Sequence, residues 1–410
     1  MTIALGTPDA GVVERYLALG LSIGRHIDGF VDAYYGPPEL RARIDAAPAV
    51  APVELVARAR SLIGAIDAGE PLDSNSDGAI GSEVSARRRF LRVQSVGLLM
   101  SATVLSGVSV GYADEVEACY GVRPVRPERD TIYQAHRELE AVVPGTGPLA
   151  ERLVSWRESL AVDPEVLPRA IGSLAEDLRD RTARTFGLPD DEHVDFVLEK
   201  DKPWSGFNYY LGGLTSKVAI NIDLPVLSSA LAHLVAHEAY PGHHTEHSRK
   251  EVGLVRGRHF LEESIFLVGT PQCLIAEGLA DLGLEIVMGR RPEALIAEHL
   301  RPLGIRYEPE QIAVNAEAGE ALGSVRSLAA FRLHEDGADP DTVAEEVAAL
   351  GLTSLERAKK SVAFLLDPTW RSYISCYVEG LPLCRRFVGG RPERFERLIT
   401  EQLVPDDLAA

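Results

Sequence analysis

The chain has 410 residues, 46% of them hydrophobic and 25% charged, with a formal net charge of −19. That balance excludes a largely disordered protein, because there is enough apolar material for a sizeable core. The acidic excess argues against nucleic-acid or anionic-membrane partners, whose phosphates it would repel.

In chain order, the segment Met1–Asp9 lacks a basic stretch followed by an apolar core, so no signal peptide is expected. Cys119, Cys273, Cys376 and Cys384 show no Cys-x-x-Cys spacing and fit buried thiols in a reducing compartment. The expected location is the cytoplasm. Residues 11–46 read as helix up to a Gly36-Pro37-Pro38 break, with a second helix opening at Glu39, where the preceding proline is well tolerated. Residues 52–66 continue in helical register, Asp67–Gly81 reads as a loop, and 84–106 read as a long helix.

No charge occurs from Ser95 to Tyr112, a length near that of a membrane span. The run is diluted by Ser95, Gly97, Ser101, Thr103, Ser106, Gly107 and Ser109, so a buried helix is expected instead. Gly107-Val-Ser109-Val-Gly111 matches the Gly-x-Ser-x-Gly nucleophile elbow. That motif needs a strand before it, and here a helical stretch precedes, so a serine hydrolase is not expected. Another helix lies between Gly121–Pro127 and Pro144–Pro148, and two more fill 148–186, split at Asp163-Pro164.

The pattern changes near Trp204. Val218, Ile220 and Ile222 alternate with Lys217, Ala219 and Asn221, the period of a half-buried strand. Asp223-Leu224-Pro225 is expected to start the helix that carries the histidines. Further helices are expected at roughly 260–288 and 292–301. Asp339-Pro340 reads as an N-cap and first-turn pair, and Thr353-Ser-Leu-Glu356 as a capping box. The fold class expected is mostly α, with one small β-sheet near the functional centre. The 410 residues form one domain in this reading: a helical body at 1–200, a core at 201–300 and C-terminal helices closing a cleft at 301–410.

Five of the eleven histidines fall between His233 and His247. A hydrolytic zinc site needs about three protein ligands, an open position for water and a nearby carboxylate to take the water's proton. His237 and Glu238, adjacent on a helix and about 100° apart, can divide the roles of ligand and base. The familiar His-Glu-x-x-His spacing is absent, because Pro241 stands where the second histidine belongs. In an unbroken helix His243 would lie about 120° off the His237 face, and His244 would be in line but about 10 Å along the axis. Pro241 and Gly242 therefore predict a bulge or kink that returns one of the two to the metal. His233/His237 and His243/His247 are alternative pairs at i, i+4 spacing. Downstream, Glu277 and Asp281 share a helical face within the largely apolar run Leu274–Leu284, which marks them as site residues. No histidine follows a glutamate by three residues, which excludes a di-iron carboxylate bundle.

The His-Glu-x-x-Pro-Gly-His motif resembles that of the domain of unknown function 885 family, helical proteins that look like zincin metallopeptidases. The first histidine after Pro-Gly is the fixed one in that family, so the resemblance implies His243 as ligand. It also implies a mainly α-helical fold. Glu-x-x-x-Asp downstream resembles the gluzincin arrangement, which implies Glu277 as the third ligand and Asp281 as hydrogen-bond partner of a ligand histidine. In zincins an edge strand before the zinc helix pairs with extended peptide, and residues 217–222 occupy that place. In the C-terminal Trp370–Gly380 stretch, Arg371 could hold a substrate carboxylate, and Tyr373 or Tyr377 could donate to an oxyanion, with Tyr377 the residue chosen. The segment departs there from the family's Pro-Gly-Gln-Ala pattern.

The expectation is thus a Zn²⁺-dependent peptidase with His237, His243 and Glu277 on the metal and Glu238 as general base. The alternative is a metal-binding protein without hydrolytic activity, either a sensor or a degenerate enzyme.

Overall fold

Segments rich in alanine, leucine, glutamate and arginine dominate the chain, and they fold as helices around two small sheets. The computed structural model describes residues 11–73, 82–202, 204–367 and 370–409. The N-terminal segment and residues 74–81 of the expected loop lie outside the described residues.

The first unit comprises α1 (Val12–Gly24), β1 (Val31–Tyr34), α2 (Pro38–Ala46), α3 (Pro52–Asp67) and α4 (Ser82–Leu105). Pro38 and Pro52 sit in first turns, where the missing N–H has no intrahelical partner to lose. Tyr16, Leu17, Leu55, Leu62, Leu91 and Leu98 pack into one apolar cluster, joined by Ile265 and Leu267 from far along the chain. The expected continuous helix from residue 11 is broken, because Val31–Tyr34 pairs antiparallel with β5 (Ile265–Leu267). The long helix expected at 84–106 forms as α4, with Leu98 and Ala102 of the uncharged run fully buried. Helix α4 stops at Leu105, and Ser109 lies in exposed irregular chain with no strand before it. Among the described residues no helix is long and apolar enough to cross a membrane.

The next helices are α5 (Tyr112–Tyr120), α6 (Arg129–Val142), α7 (Leu149–Glu158) and α8 (Leu167–Phe186). Three strands follow: β2 (His193–Glu199), β3 (Gly206–Gly212) and β4 (Thr215–Asn221), in the order β2-β4-β3. Strand β4 runs parallel to β2 and antiparallel to β3, so it is the central strand rather than an edge. Its backbone is paired on both sides, and no substrate can add to it there. Val218, Ala219 and Ile220 are all buried, whereas the sequence alternation implied one solvated face.

Beyond β4 come α9 (Ser228–Glu238), α10 (His243–Lys250), a π-helical turn at Glu251–Arg256, β5 and α11 (Pro271–Met288). The histidine helix thus begins at Ser228, after Pro225 rather than at Asp223, and the helix expected from about 260 begins only at Pro271. The remaining helices are α12 (Glu293–Leu300), α13 (Pro309–His334), α14 (Pro340–Leu350), α15 (Leu355–Leu366), α16 (Ile374–Val388), α17 (Pro392–Thr400) and α18 (Pro405–Ala409). Asp339 caps α14 by accepting from the Thr342 N–H, as its position before Pro340 implies. For α15 the cap is Ser354, which accepts from the Arg357 N–H, so the expected Thr353–Glu356 box does not form. A second, larger apolar cluster runs from α5 to α18 and includes Leu231, Val235 and Ala236 of the histidine helix.

Candidate metal centre

Helix α9 ends at Glu238, and Ala239 leaves the helical region at φ −124° and ψ −79°. Across a cis Tyr240–Pro241 peptide the chain folds back on α9, where Gly242 N–H donates to Ala236 O at 2.9 Å. A Cβ on Gly242 would stand 1.9 Å from His237 O, so only glycine lets the chain pass this close to the helix end. Helix α10 then starts at His243. The sequence predicted a bulge or kink at Pro241-Gly242; the structure has two helices joined there by a tight turn.

That turn sets His243 Nε2 3.1 Å from His237 Nε2. Helix α11 brings Glu277 to both, with Oε2 3.4 Å from His237 Nε2 and Oε1 3.6 Å from His243 Nε2. A tetrahedral ion with bonds of about 2.0–2.1 Å holds its ligand atoms roughly 3.3–3.4 Å apart. The three separations bracket that value. Glu277 Oε2 is buried and completes no hydrogen bond within the protein, as a donor atom reserved for an ion would be. Two imidazoles and a carboxylate are also the donor set of a catalytic zinc site.

The supporting contacts come from two helices. Asp281, one turn beyond Glu277 on α11, accepts from His237 Nδ1 at 2.9 Å. With Nδ1 donating, Nε2 is the ring nitrogen turned toward His243 and Glu277. Helix α16 crosses α11 at a glycine pair: a Cβ on Gly278 would meet Gly380 O at 2.3 Å, and one on Gly380 would meet Leu274 O at 2.6 Å. This close crossing carries Tyr373 to the site, where its hydroxyl donates to Glu277 Oε1 at 3.0 Å.

Burial and the neighbouring charges set the electrostatics of the cluster. Burial opposes charge on His237, but Asp281 and Glu277 overcome it and raise its pKa well above the ordinary histidine value. Burial, with His237 beside it, pushes His243 down to about 4, leaving a neutral ring. Against burial, the contact with His237 holds Glu277 below the usual carboxylate range. Burial pushes Glu238 up to about 7, opposed by His237 and reinforced by Glu277 and Asp281. Glu238 lies next to His237 in the chain and is itself buried, with Asn208 Nδ2 donating to its carbonyl.

The other sequence candidates fall elsewhere. His244 is fully enclosed, bonded to Ser216 Oγ at 2.9 Å and Glu192 Oε2 at 2.8 Å, so it belongs to a structural network behind the site. His247 stacks on Tyr210. His233 is exposed and, with His237 and Asp281, makes a second possible cation group. That group would need His237 Nδ1, which already donates to Asp281. Arg371 is drawn to Glu115 and is not free to hold a substrate. Tyr377, the tyrosine chosen from sequence, donates to the Tyr373 hydroxyl at 3.3 Å and reaches Glu277 only through it. Sequence reasoning passed over Asp32, whose carboxyl is pushed up to about 8 by burial and by the charges of Glu277 and Glu238. An acid inside the aromatic and apolar run Phe30-Val-Asp-Ala-Tyr-Tyr35 was the available signal.

No family model and no curated protein matches the chain. Among solved structures its fold is similar to that of a "putative lipoprotein" from Colwellia psychrerythraea, at a TM-score of 0.53 and 15% identity, over 88% of this chain and 66% of that one. This chain therefore spans just under two thirds of that neighbour, and the likeness is one of fold.

Proposed function

We propose that the protein is a zinc-dependent peptidase of the zincin kind, consistent with the resemblance of its motif to the domain of unknown function 885 family. The observation that carries the reading is the convergence of His237 Nε2, His243 Nε2 and Glu277, with Glu238 beside them. His237, His243 and Glu277 would hold the ion, which supplies Lewis acidity toward water and a substrate carbonyl. Glu238 takes the proton of the attacking water as the C–O bond forms, then gives it to the amine as the C–N bond breaks. Tyr373 orients Glu277 through its hydrogen bond, and Asp281 holds the His237 ring. Four free, buried thiols suit a reducing compartment and support a cytoplasmic location.

Metal analysis of protein purified without added metal should find about one equivalent of zinc, absent in His237→Ala. Glu238→Gln should retain the zinc and lose cleavage of a peptide library that the wild type digests. Protein that refuses zinc defeats the proposal. Zinc uptake with no cleavage by the wild type leaves the second reading, a metal-binding protein without hydrolytic activity.

A further inference from the structure

A row of aromatic rings runs outward from the metal centre. Tyr373 stands innermost, with its hydroxyl donating to Glu277 Oε1 at 3.0 Å. Trp370 and Tyr377 both meet its ring edge to face, with centroids 5.7 and 5.3 Å away. Phe364, near the end of α15, stacks on Trp370 at 6.1 Å. The spacing of Trp370, Tyr373 and Tyr377, in the turn leading into α16 and its first residues, aligns side chains along one face of helical backbone. Trp370 packs closely on the loop before β1, where a Cβ on Gly29 would stand 3.1 Å from its ring.

These rings are not packed away. Tyr377 and Phe364 are each 38% exposed, and Trp370 and Tyr373 are partly buried. The two hydroxyls are engaged within the row, Tyr377 donating to Tyr373 and Tyr373 to Glu277. A second aromatic group, on β3 and the chain before it, is covered differently. There Trp204, Phe207 and Tyr209 are in ring contact, with Lys202 over Trp204 at 5.9 Å and Lys217 over Tyr209 at 4.5 Å. Among the described residues no lysine or arginine stands over Trp370, Tyr373 or Tyr377. Bare aromatic surface gains free energy when an apolar group covers it. Here that surface begins one side chain away from a candidate metal ligand.

We propose that Trp370 and Tyr377 are specificity-determining residues that receive an aromatic side chain of the substrate, at the residue adjoining the bond to be cleaved. This rests on the peptidase reading and narrows its substrate class to peptides with phenylalanine, tyrosine or tryptophan at that place. The ring planes favour an aromatic over an aliphatic group. Trp370 and Tyr377 stand at 80° and 90° to Tyr373, so an incoming ring can meet one neighbour by its face and another by its edge.

The test uses calorimetry on zinc-loaded protein with two pairs of hydroxamates. N-acetyl-phenylalanine and N-acetyl-leucine hydroxamate place the side chain on the acyl side of the bond to be cleaved. Benzylsuccinyl and isobutylsuccinyl hydroxamate place it on the amine side. In one pair the aromatic member should bind about three- to tenfold more tightly, the gain expected of ring–ring contact beyond area alone. Tyr377→Ala and Trp370→Leu should each abolish that preference with zinc uptake unchanged, and Tyr377→Phe, which keeps the ring, should retain it. Equal binding within both pairs, binding of no probe, or a preference that survives Tyr377→Ala or Trp370→Leu overturns the proposal. Loss of the preference in Tyr377→Phe overturns it too, because the hydroxyl rather than the ring would then carry it. Protein that takes up no zinc fails the function above and this inference with it, whereas zinc-loaded protein that cleaves peptides without an aromatic preference fails the inference alone.

Discussion

Replacing Asp281 should weaken zinc binding while leaving the fold intact, by an amount that its contacts define. Asp281 Oδ1 accepts from His237 Nδ1 at 2.9 Å with the carboxylate 16% exposed. Two effects are combined there: the bond fixes the imidazole with Nε2 toward His243, and the negative charge makes that nitrogen a stronger donor to a cation. Asp281→Asn keeps an oxygen in place and loses only the charge, so a loss of about tenfold is expected. Asp281→Ala loses both. A hydrogen bond to a charged group contributes about 1.5–3 kcal/mol, which corresponds to roughly 10- to 100-fold in affinity. Competition against a chromogenic zinc chelator measures this directly, on variants whose circular dichroism and melting temperature match the wild type. The order should be wild type, then asparagine, then alanine. Wild-type affinity in Asp281→Ala would refute the reasoning, because the His237 ring would then need no partner to hold its orientation.

Gly242→Ala places a methyl group against His237 O, a backbone atom that cannot swing aside. It should destabilise the protein by about 3 kcal/mol or more and displace His243, seen as a lower urea midpoint and lost zinc binding. Glu263, buried where Gln272 and Gln402 donate to it, offers a test by pH. Burial pushes its carboxyl from 4.5 to about 7, with Lys250 opposing. A folded value above the unfolded one means stability that is complete below about pH 4.5 and lost as the pH rises through about 7. The difference amounts to about 3 kcal/mol. Glu263→Gln should therefore flatten the fall in urea midpoint between about pH 5 and 8, and an unchanged fall would count against this account.

The part of the site visible in sequence was the part set by short-range geometry. His237, Glu238 and His243 are separated by a turn that Pro241 and Gly242 announce, and Glu277 and Asp281 mark one helical face by their spacing. Choosing between His243 and His244 needed the turn's actual path, which sends His244 to Ser216 and Glu192. Tyr373 displaced Tyr377 beside Glu277 because of where α16 crosses α11, which depends on two glycines on different helices. Arg371 could not be placed without its remote partner Glu115. Strand β1 was hidden for the same reason: its pairing partner lies far along the chain, and local pattern favoured continuing the helix. The irregularity between Val31 and Ala33 is a property of that pairing, so no local window contained it.

The fold-back at Gly242 divides the donor set in an uneven way. Two donors are joined by a tight local turn, so they can approach one another with little loss of chain entropy. The third rides on α11, beyond β5, and reaches them only when the larger body of the protein has closed. A metal ion would find a weak two-armed chelate in a partly assembled chain and a complete one in the finished fold. Occupancy of the ion thus reports on assembly: zinc should stabilise the closed form in proportion to its concentration and have little hold on the open one. Metal supply would then act on how much of the protein is folded as well as on what the folded protein does.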